Sequence, residues 1–275
     1  MRTQAEKGSV FRALHEQDRA FVIPNPWDIG TARILAGLGF EALATTSAGC
    51  AFSLGQRDQT VGRERMMEHV AEIVLATDLP VSADLENGFG DDPATVGETI
   101  RLAGHAGLVG ASIEDSTRSR DERVYELEPA VERVRAAAEV ARSLPFSFML
   151  TARAENYIVG RPDLKDTIKR LQAYQEAGAD VLYAPGLSSK DDIAAVVSSL
   201  DRPVNVLLGF PGVGLSQAEL SNIGVRRISV GSALSRVAFD AFVRAAREMR
   251  EHGTFTFGDN AISSRDIVAI MEARW

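Results

Sequence analysis

Apolar residues along this chain fall into two spacings that alternate with each other. In one, apolar side chains recur every three or four positions among charged ones, the mark of a helix with one buried face. In the other, short runs are apolar throughout, as in strands buried on both faces of a parallel sheet. Four helical stretches end at a glycine and are followed by such a run. These are Gly37 or Gly39 before Glu41–Thr45, Gly107 before Val109–Ile113, Gly178 before Asp180–Tyr183 and Gly224 before Arg227–Val230. Glycine suits the residue after a last helical turn, because it enters the left-handed region with no Cβ to clash. Four further runs, Phe21–Ile23, Pro80–Ala83, Phe148–Leu150 and Pro203–Leu207, complete a set of eight strands.

The stretches between them predict helices at Glu64–Leu75, at Leu164–Ala177 after Pro162-Asp163, and at Asp191–Leu200 after Ser188-Ser189. Another starts at Pro129, a residue suited to a first helical position. A helix near Thr3–Gln17 precedes the strands, and an extended segment, Thr254–Gly258, leads to a last helix between Ser263 and Trp275. Strands alternating with helices imply a parallel α/β architecture. Eight units without a linker favour a (β/α)8 TIM-type barrel over an open doubly wound sheet. The 275-residue length agrees with one such barrel. The expectation is one domain over residues 1–275, with the barrel core at about 20–250. The C-terminal helix, at about 260–275, ends in Ile270-Met271 and Trp275 and needs something to bury it; a partner subunit is one candidate.

Composition narrows the function classes. Hydrophobic residues at 45% and charged residues at 25% suit an ordinary folded domain. A net charge of -8 with no Lys/Arg block argues against nucleic acid or anionic membrane as partner. The lone Cys50 can make neither an internal disulfide nor a Cys-based zinc site and reads as a small buried residue. No run approaches a membrane span and no apolar signal core follows Met1, so a cytoplasmic protein is expected. His15, His69, His105 and His252 fall in helical stretches, away from strand ends, and read as packing or surface residues. The glycine-rich Gly209–Gly214 segment has neither the Lys-Ser/Thr nor the context of a phosphate cradle and reads as a loop.

In a barrel of this kind the site lies at the carboxyl ends of the strands. There the sequence places Thr45–Cys50 and Asp58 after the second strand, Asp84-Leu85-Glu86 at the third, Glu114-Asp115 at the fourth, Arg153-Ala154-Glu155 at the fifth and Asn205 on the seventh. Carboxylates converging in a poorly solvated cleft repel one another unless a cation lies among them. A hard ion such as Mg²⁺ takes oxygen ligands, often one or two carboxylates with waters. That predicts Asp84 as metal ligand, with Glu86 and Glu114 holding metal-bound waters. Arg153 would pair with a substrate carboxylate or enolate oxygen. The small-residue turn at Thr46, Ser47, Ala48 and Gly49 would offer N–H and hydroxyl groups to a substrate carboxylate. Asp28, before Ile29-Gly30-Thr31, reads instead as a helix N-cap.

With these residues in place, the chain resembles the isocitrate lyase/phosphoenolpyruvate mutase superfamily over roughly residues 20–240. The resemblance rests on Asn25-Pro26-Trp27-Asp28, on Thr46-Ser47-Ala48-Gly49 with Gly55-Gln56-Arg57-Asp58, on Asp84–Gly90, on Ile113-Glu114-Asp115 and on Ala152-Arg153-Ala154-Glu155. It implies a Mg²⁺ site, with Mn²⁺ as a substitute, that handles small 2-oxo acids or their enolates. Substrate would be bound by Thr46, Ser47, Ala48, Gly49, Asp58, Arg153 and Asn205. It also implies a homotetramer whose C-terminal helix is exchanged between subunits. The family's lyases carry a Lys-Lys-Cys-Gly-His loop after the fourth strand, whereas here Ser116–Tyr125 has no Cys, Lys or His. Nor is the histidine that some members carry after the sixth strand present; Ala184-Pro185-Gly186 stands there. The metal and oxo-acid half of the site is retained and the general-acid half is not, which leaves Tyr125 or a loop hydroxyl as the nearby proton donor. The expected activity is a Mg²⁺-dependent carbon–carbon lyase or decarboxylase on a 2-oxo or 2-hydroxy di- or tricarboxylate, with Arg153, Glu114 and Tyr125 as catalytic residues. The alternatives are carbon–phosphorus chemistry on phosphonopyruvate or phosphoenolpyruvate, and a 2-oxo acid-binding protein with little catalysis.

Overall fold

The computed structural model describes residues 2–117 and 123–273. Eight parallel strands form one sheet: β1 (Phe21–Ile23), β2 (Leu43–Ala44), β3 (Val81–Asp84), β4 (Gly110–Glu114), β5 (Met149–Arg153), β6 (Val181–Tyr183), β7 (Val204–Leu207) and β8 (Arg227–Ser229). Each pairs with its neighbour in sequence from β2 to β8, and β8 pairs with β1. At the seam between β1 and β2 a single backbone bond, Ala44 N–H to Pro24 C=O at 3.0 Å, bridges the gap. The sheet is therefore a nearly closed (β/α)8 barrel and not an open sheet.

The helices are α1 (Gln4–His15), α2 (Ile29–Gly37), α3 (Ser47–Ser53), α4 (Arg63–Ala76), α5 (Pro93–His105), α6 (Leu127–Ser143), α7 (Leu164–Ala177), α8 (Lys190–Ser198), α9 (Gln217–Asn222), α10 (Ala233–His252) and α11 (Ser264–Glu272). Caps set their starts. Thr3, Asp28, Asp163, Ser189 and Ser263 each accept a backbone N–H from the first turn that follows. Asp28 is thus a helix cap, as its place before α2 predicts. The predicted glycine stops hold as well, with positive φ at Gly39, Gly107, Gly178 and Gly224. Two local expectations do not hold. Pro129 is the third residue of α6, not the first. The segment Thr254–Gly258 closes into a 3₁₀ turn at Thr256–Gly258, because Glu248 on α10 accepts from the Thr256 N–H and hydroxyl.

The amino end of the barrel is plugged. Phe11 and His15 of α1 stack edge-on against each other and against Phe21 of β1, among buried Leu14, Val109 and Met149. Gly110 leaves room for Phe11, whose ring carbon would lie 2.8 Å from an added Cβ. Above the plug the interior turns polar, with Ser82, Ser112, Thr151, Asn205 and Arg227 where barrels of this type more often carry branched aliphatics. In the single chain, α11 lies against α2, with Ile270 over Gly37. Among the described residues no helix is long and apolar enough to cross a membrane.

Candidate active site

The carboxyl ends of the strands surround a cavity of about 290 Å³. Asp84, Glu114 and Arg153 close β3, β4 and β5 side by side, since the ladders pair Asp84 with Ser112 and Glu114 with Arg153. Arg153 stands at the centre. Its Nε donates to Glu155 at 2.8 Å, Nη1 to Asp84 at 2.9 Å, and Nη2 meets Glu114 at 2.9 Å. Its guanidinium also lies 5.4 Å from the ring centre of Tyr183.

Each acid is oriented by neighbours. Asp84 Oδ2 accepts from the Ser47 hydroxyl at 3.0 Å, and the Asp84 N–H donates to Thr45 Oγ1 at 3.1 Å. Glu114 Oε1 accepts from Gln59 Nε2 at 3.0 Å and from the Ser116 hydroxyl. Gln59 and Glu86 line the cavity with φ of 63° and 50°. This left-handed backbone is unfavourable for residues with a Cβ and concentrates at functional sites. The turn carrying Glu86 is held by Arg133, buried beneath it, which donates to the carbonyls of Asn87, Gly90 and Asp91.

Burial raises the carboxyls of Glu114 and Glu155, the latter to about 8; Arg153 opposes both shifts. Asp58, at the outer rim, is also raised, by desolvation of its carboxyl and then by the charge of Asp84, although the residue as a whole is exposed. Five acids (Asp58, Asp84, Glu86, Glu114 and Glu155) therefore line one cavity, with Arg153 as the cation at its mouth among the described residues. A hard divalent cation fits this donor set: the ligands are oxygens, and crowded negative charge remains after Arg153 is counted. Among the described residues no three His, Cys, Asp or Glu side chains gather tightly enough to hold an ion between them. Mg²⁺ itself often takes only one or two carboxylates and keeps waters.

The cavity gathers most of the predicted site: Thr46, Ser47, Ala48, Asp58, Asp84, Glu86, Glu114, Arg153 and Asn205 all line it. Gly49 does not. Its N–H donates to Thr46 as part of the cap of α3, and an added Cβ would lie 2.9 Å from Trp27 Cβ, so it is a packing glycine. Tyr125 is also absent from the lining. Its hydroxyl donates to Asp91 at 2.6 Å, and its ring lies 4.2 Å from the Arg133 guanidinium carbon. Burial and Asp91 push its pKa up to about 12. Asp115 faces away, into a buried cluster with Tyr174 at 2.6 Å and Arg170 at 3.2 Å. Cys50 is buried, its thiol pushed up to about 11, and is no nucleophile. Residues 118–122, in the loop that departs from the lyase pattern, and Trp275 lie outside the described residues.

Among the lining residues that were not predicted as site residues are Asn25, Gln59, Tyr183, Arg227 and Ser229. Asn25 is a strand-end stitch, accepting from the Val230 and Gly231 N–H groups at 2.9 Å and donating to Thr45 C=O at 3.0 Å. Tyr183 ends β6 beside Arg153 and is almost fully buried, which raises its hydroxyl well above the usual phenol range. A strand-end tyrosine in Val181-Leu182-Tyr183 was the available signal.

Comparison with known proteins fits this arrangement. Residues 11–250 match the family described as phosphoenolpyruvate phosphomutase. A crystal structure described as a lyase/mutase from Burkholderia cenocepacia J2315 shares 59% identity, covers 98% of this chain and 97% of its own, and superposes with a TM-score of 0.95. Oxaloacetate decarboxylase of Pseudomonas aeruginosa is 30% identical over 255 residues, which cover 89% of this chain and 86% of that protein. Phosphonopyruvate hydrolase, solved with oxalate and Mg²⁺, is alike in fold alone at 22% identity, with a TM-score of 0.85 over 97% of this chain and 94% of its own.

Proposed function

Since this chain belongs to the isocitrate lyase/phosphoenolpyruvate mutase superfamily, we propose that it is a Mg²⁺-dependent carbon–carbon lyase or decarboxylase acting on a small 2-oxo or 2-hydroxy di- or tricarboxylate. The observation that carries this reading is the run of acids from three consecutive strand ends around Arg153 in one closed-bottomed cavity. The identity to a relative named oxaloacetate decarboxylase supports it.

Asp84 would hold the divalent ion directly, with Glu86 and Glu114 on its waters; Mn²⁺ would serve as a substitute. When bound, the ion supplies a Lewis acid that steadies negative charge on the oxygens of a 2-oxo acid. The protein does the rest. Arg153 has five N–H donors, of which three are used by acids, so its terminal nitrogens can also reach a substrate oxygen. Ser47, at the start of α3, orients Asp84 and lines the cavity. In decarboxylation of a 2-oxo diacid, the bond to the departing carboxylate breaks and its electron pair enters the oxo group as an enolate. The carbon left behind then takes a proton. Tyr183, on the cavity wall and protonated well beyond neutral pH, would supply it and recover a proton from water; Tyr125 points elsewhere.

The test is a panel of oxaloacetate, isocitrate, 2-methylisocitrate and phosphonopyruvate, with and without Mg²⁺. Turnover of a carbon substrate that Asp84→Ala lowers by about a thousandfold or more is expected, the scale of losing a main electrostatic contributor. Turnover of phosphonopyruvate alone would favour carbon–phosphorus chemistry. Tight Mg²⁺-dependent binding without turnover would leave a 2-oxo acid-binding protein. We also propose that the chain works in the cytoplasm as a homotetramer, joined through the apolar residues that α10 and its following turn leave exposed, such as Phe242 and Phe255. Analytical ultracentrifugation showing a monomer would rule that assembly out.

A further inference from the structure

Arg227 differs from every other charged group that lines the cavity. It projects from β8 above the α1 plug, is 5% exposed, and bonds only neutral partners among the described residues. Its Nε donates to Asn205 Oδ1 at 2.9 Å and its Nη2 to Thr151 Oγ1 at 3.0 Å, while Nη1 lies 3.5 Å from His15 Nε2. His15 is itself held neutral by burial, so it supplies no counter-charge. A guanidinium has five N–H donors. These contacts use three and leave two in a cavity wall shared with Asn205 and Ser229. Burying a charge without an opposite one is costly, and proteins rarely do it without a partner.

Its depth is set by the sheet. Arg227 bonds Thr151, two residues before Arg153 on β5. At ~3.3 Å per residue it lies about 7 Å below the acid cluster, the reach of a four- or five-carbon chain. We infer that Arg227, with Asn205 and Ser229, forms a floor subsite for the second carboxylate of the substrate, so that the enzyme selects dicarboxylates over monocarboxylates. This rests on the reading of the mouth as the site for the 2-oxo or 2-hydroxy acid head. The second carboxylate would point into the barrel, below Arg153, whose remaining donors serve the head at the mouth beside its three acids.

L-Lactate and L-malate test this directly, because they share the 2-hydroxy acid head and differ by the second carboxylate. Their binding to the full chain with Mg²⁺ is measured by calorimetry for the wild type, Arg227→Met and Arg227→Lys. The wild type should bind malate at least about tenfold more tightly, the scale of one charged hydrogen-bonded pair. Arg227→Met should lower malate affinity to that of lactate while lactate binding persists, which also reports an intact fold. Arg227→Lys should restore part of the preference. Equal wild-type affinities for the two acids would overturn the floor subsite and leave the mouth reading standing. Equal loss of both acids in Arg227→Met would overturn it too, as the mark of a merely structural arginine. Failure of the wild type to bind either acid would remove the mouth reading and the subsite with it.

Discussion

Arg153 and Arg227 stand in the same barrel interior about two strand residues apart in depth, yet they are neutralised in opposite ways. Arg153 is overcompensated: Asp84, Glu114 and Glu155 each lie within 2.9 Å of one of its nitrogens. Arg227 is undercompensated: its partners are an amide, a hydroxyl and a neutral imidazole. Burial depresses Arg227 to about 10, whereas the acids hold Arg153 well above its ordinary value despite burial. The described residues alone leave surplus negative charge at the mouth and surplus positive charge at the floor. A cation at the mouth and an acid spanning the two levels would balance both. A site polarised in this way is prepared for charge that the substrate brings, which is the arrangement from which electrostatic catalysis draws most.

The largest expected effect comes from breaking the mouth. Arg153→Met leaves the buried Glu114 and Glu155 and the half-buried Asp84 facing one another without a cation. Removing one partner of a buried pair costs about 3–5 kcal/mol. The sign with pH follows from the acids. Glu155 and Glu114 have folded pKa values raised above those of the unfolded chain, Glu155 to about 8. Stability tied to their protonated forms is present at low pH and is lost as pH rises toward 8. Urea unfolding should therefore show a larger loss for Arg153→Met at pH 8 than at pH 5, with partial recovery on adding Mg²⁺ at pH 8. Arg227→Met should show no comparable loss at either pH. Equal stability of Arg153→Met and wild type at pH 8 would mean that the mouth is not the strained charge cluster described.

A second contrast separates two tyrosines. Tyr183 lines the cavity and Tyr125 donates to Asp91 outside it. On whichever substrate of the panel turns over, Tyr183→Phe should lower kcat about 100-fold with KM little changed, the lower range for losing a positioned general acid. Tyr125→Phe should change kcat by less than about threefold, since removing its hydroxyl touches no reacting atom. The reverse ranking would return the proton donor to the loop after β4.

The mouth was legible in the sequence, and of the floor only Asn205 was, for a physical reason. Strand-end residues follow directly from knowing where each strand stops, and glycines such as Gly178, with φ of 108°, mark the helix ends that precede the strands. Asp84, Glu114 and Arg153 could therefore be placed together before any coordinate was known. Which residues within a strand point inward cannot be read from runs that are buried on both faces, because no polar alternation marks the side. Arg227 looked like the first residue of an apolar run, and nothing in Arg226-Arg227 says which arginine enters the barrel. Arg226 instead donates to Asp18 C=O at the surface. That Tyr125 stands off the cavity lining was hidden for a related reason. The loop after β4 folds back so that its ring lies under Arg133, an arginine 46 residues from the Asn87 carbonyl it also holds, and such a distant partner has no local signature.

The smallest effect concerns the floor's neutral side. His15 is buried between Phe11 and Phe21, and burial, followed by the charge of Arg227, lowers its pKa from 6.5 to about 3. The folded protein thus keeps His15 neutral where the unfolded chain protonates it. A depressed folded value for a histidine gives stability that is present above about 6.5 and is lost as pH falls from there toward 3. From pH 7 to pH 5 this loss amounts to about 2 kcal/mol, roughly 1.4 kcal/mol for each unit of pH below 6.5. His15→Phe keeps the aromatic packing and removes the titration, so unfolding free energies of variant and wild type should diverge by about that amount over this range, in favour of the variant. The lost contact with Arg227 Nη1 adds an offset that is the same at both ends of the range and does not enter the slope. Parallel pH profiles for the two proteins would show that the imidazole takes up its proton in the folded state as readily as in the unfolded chain. Arg227 would then stand beside a second cation, which would make the floor more electropositive than its neutral partners imply.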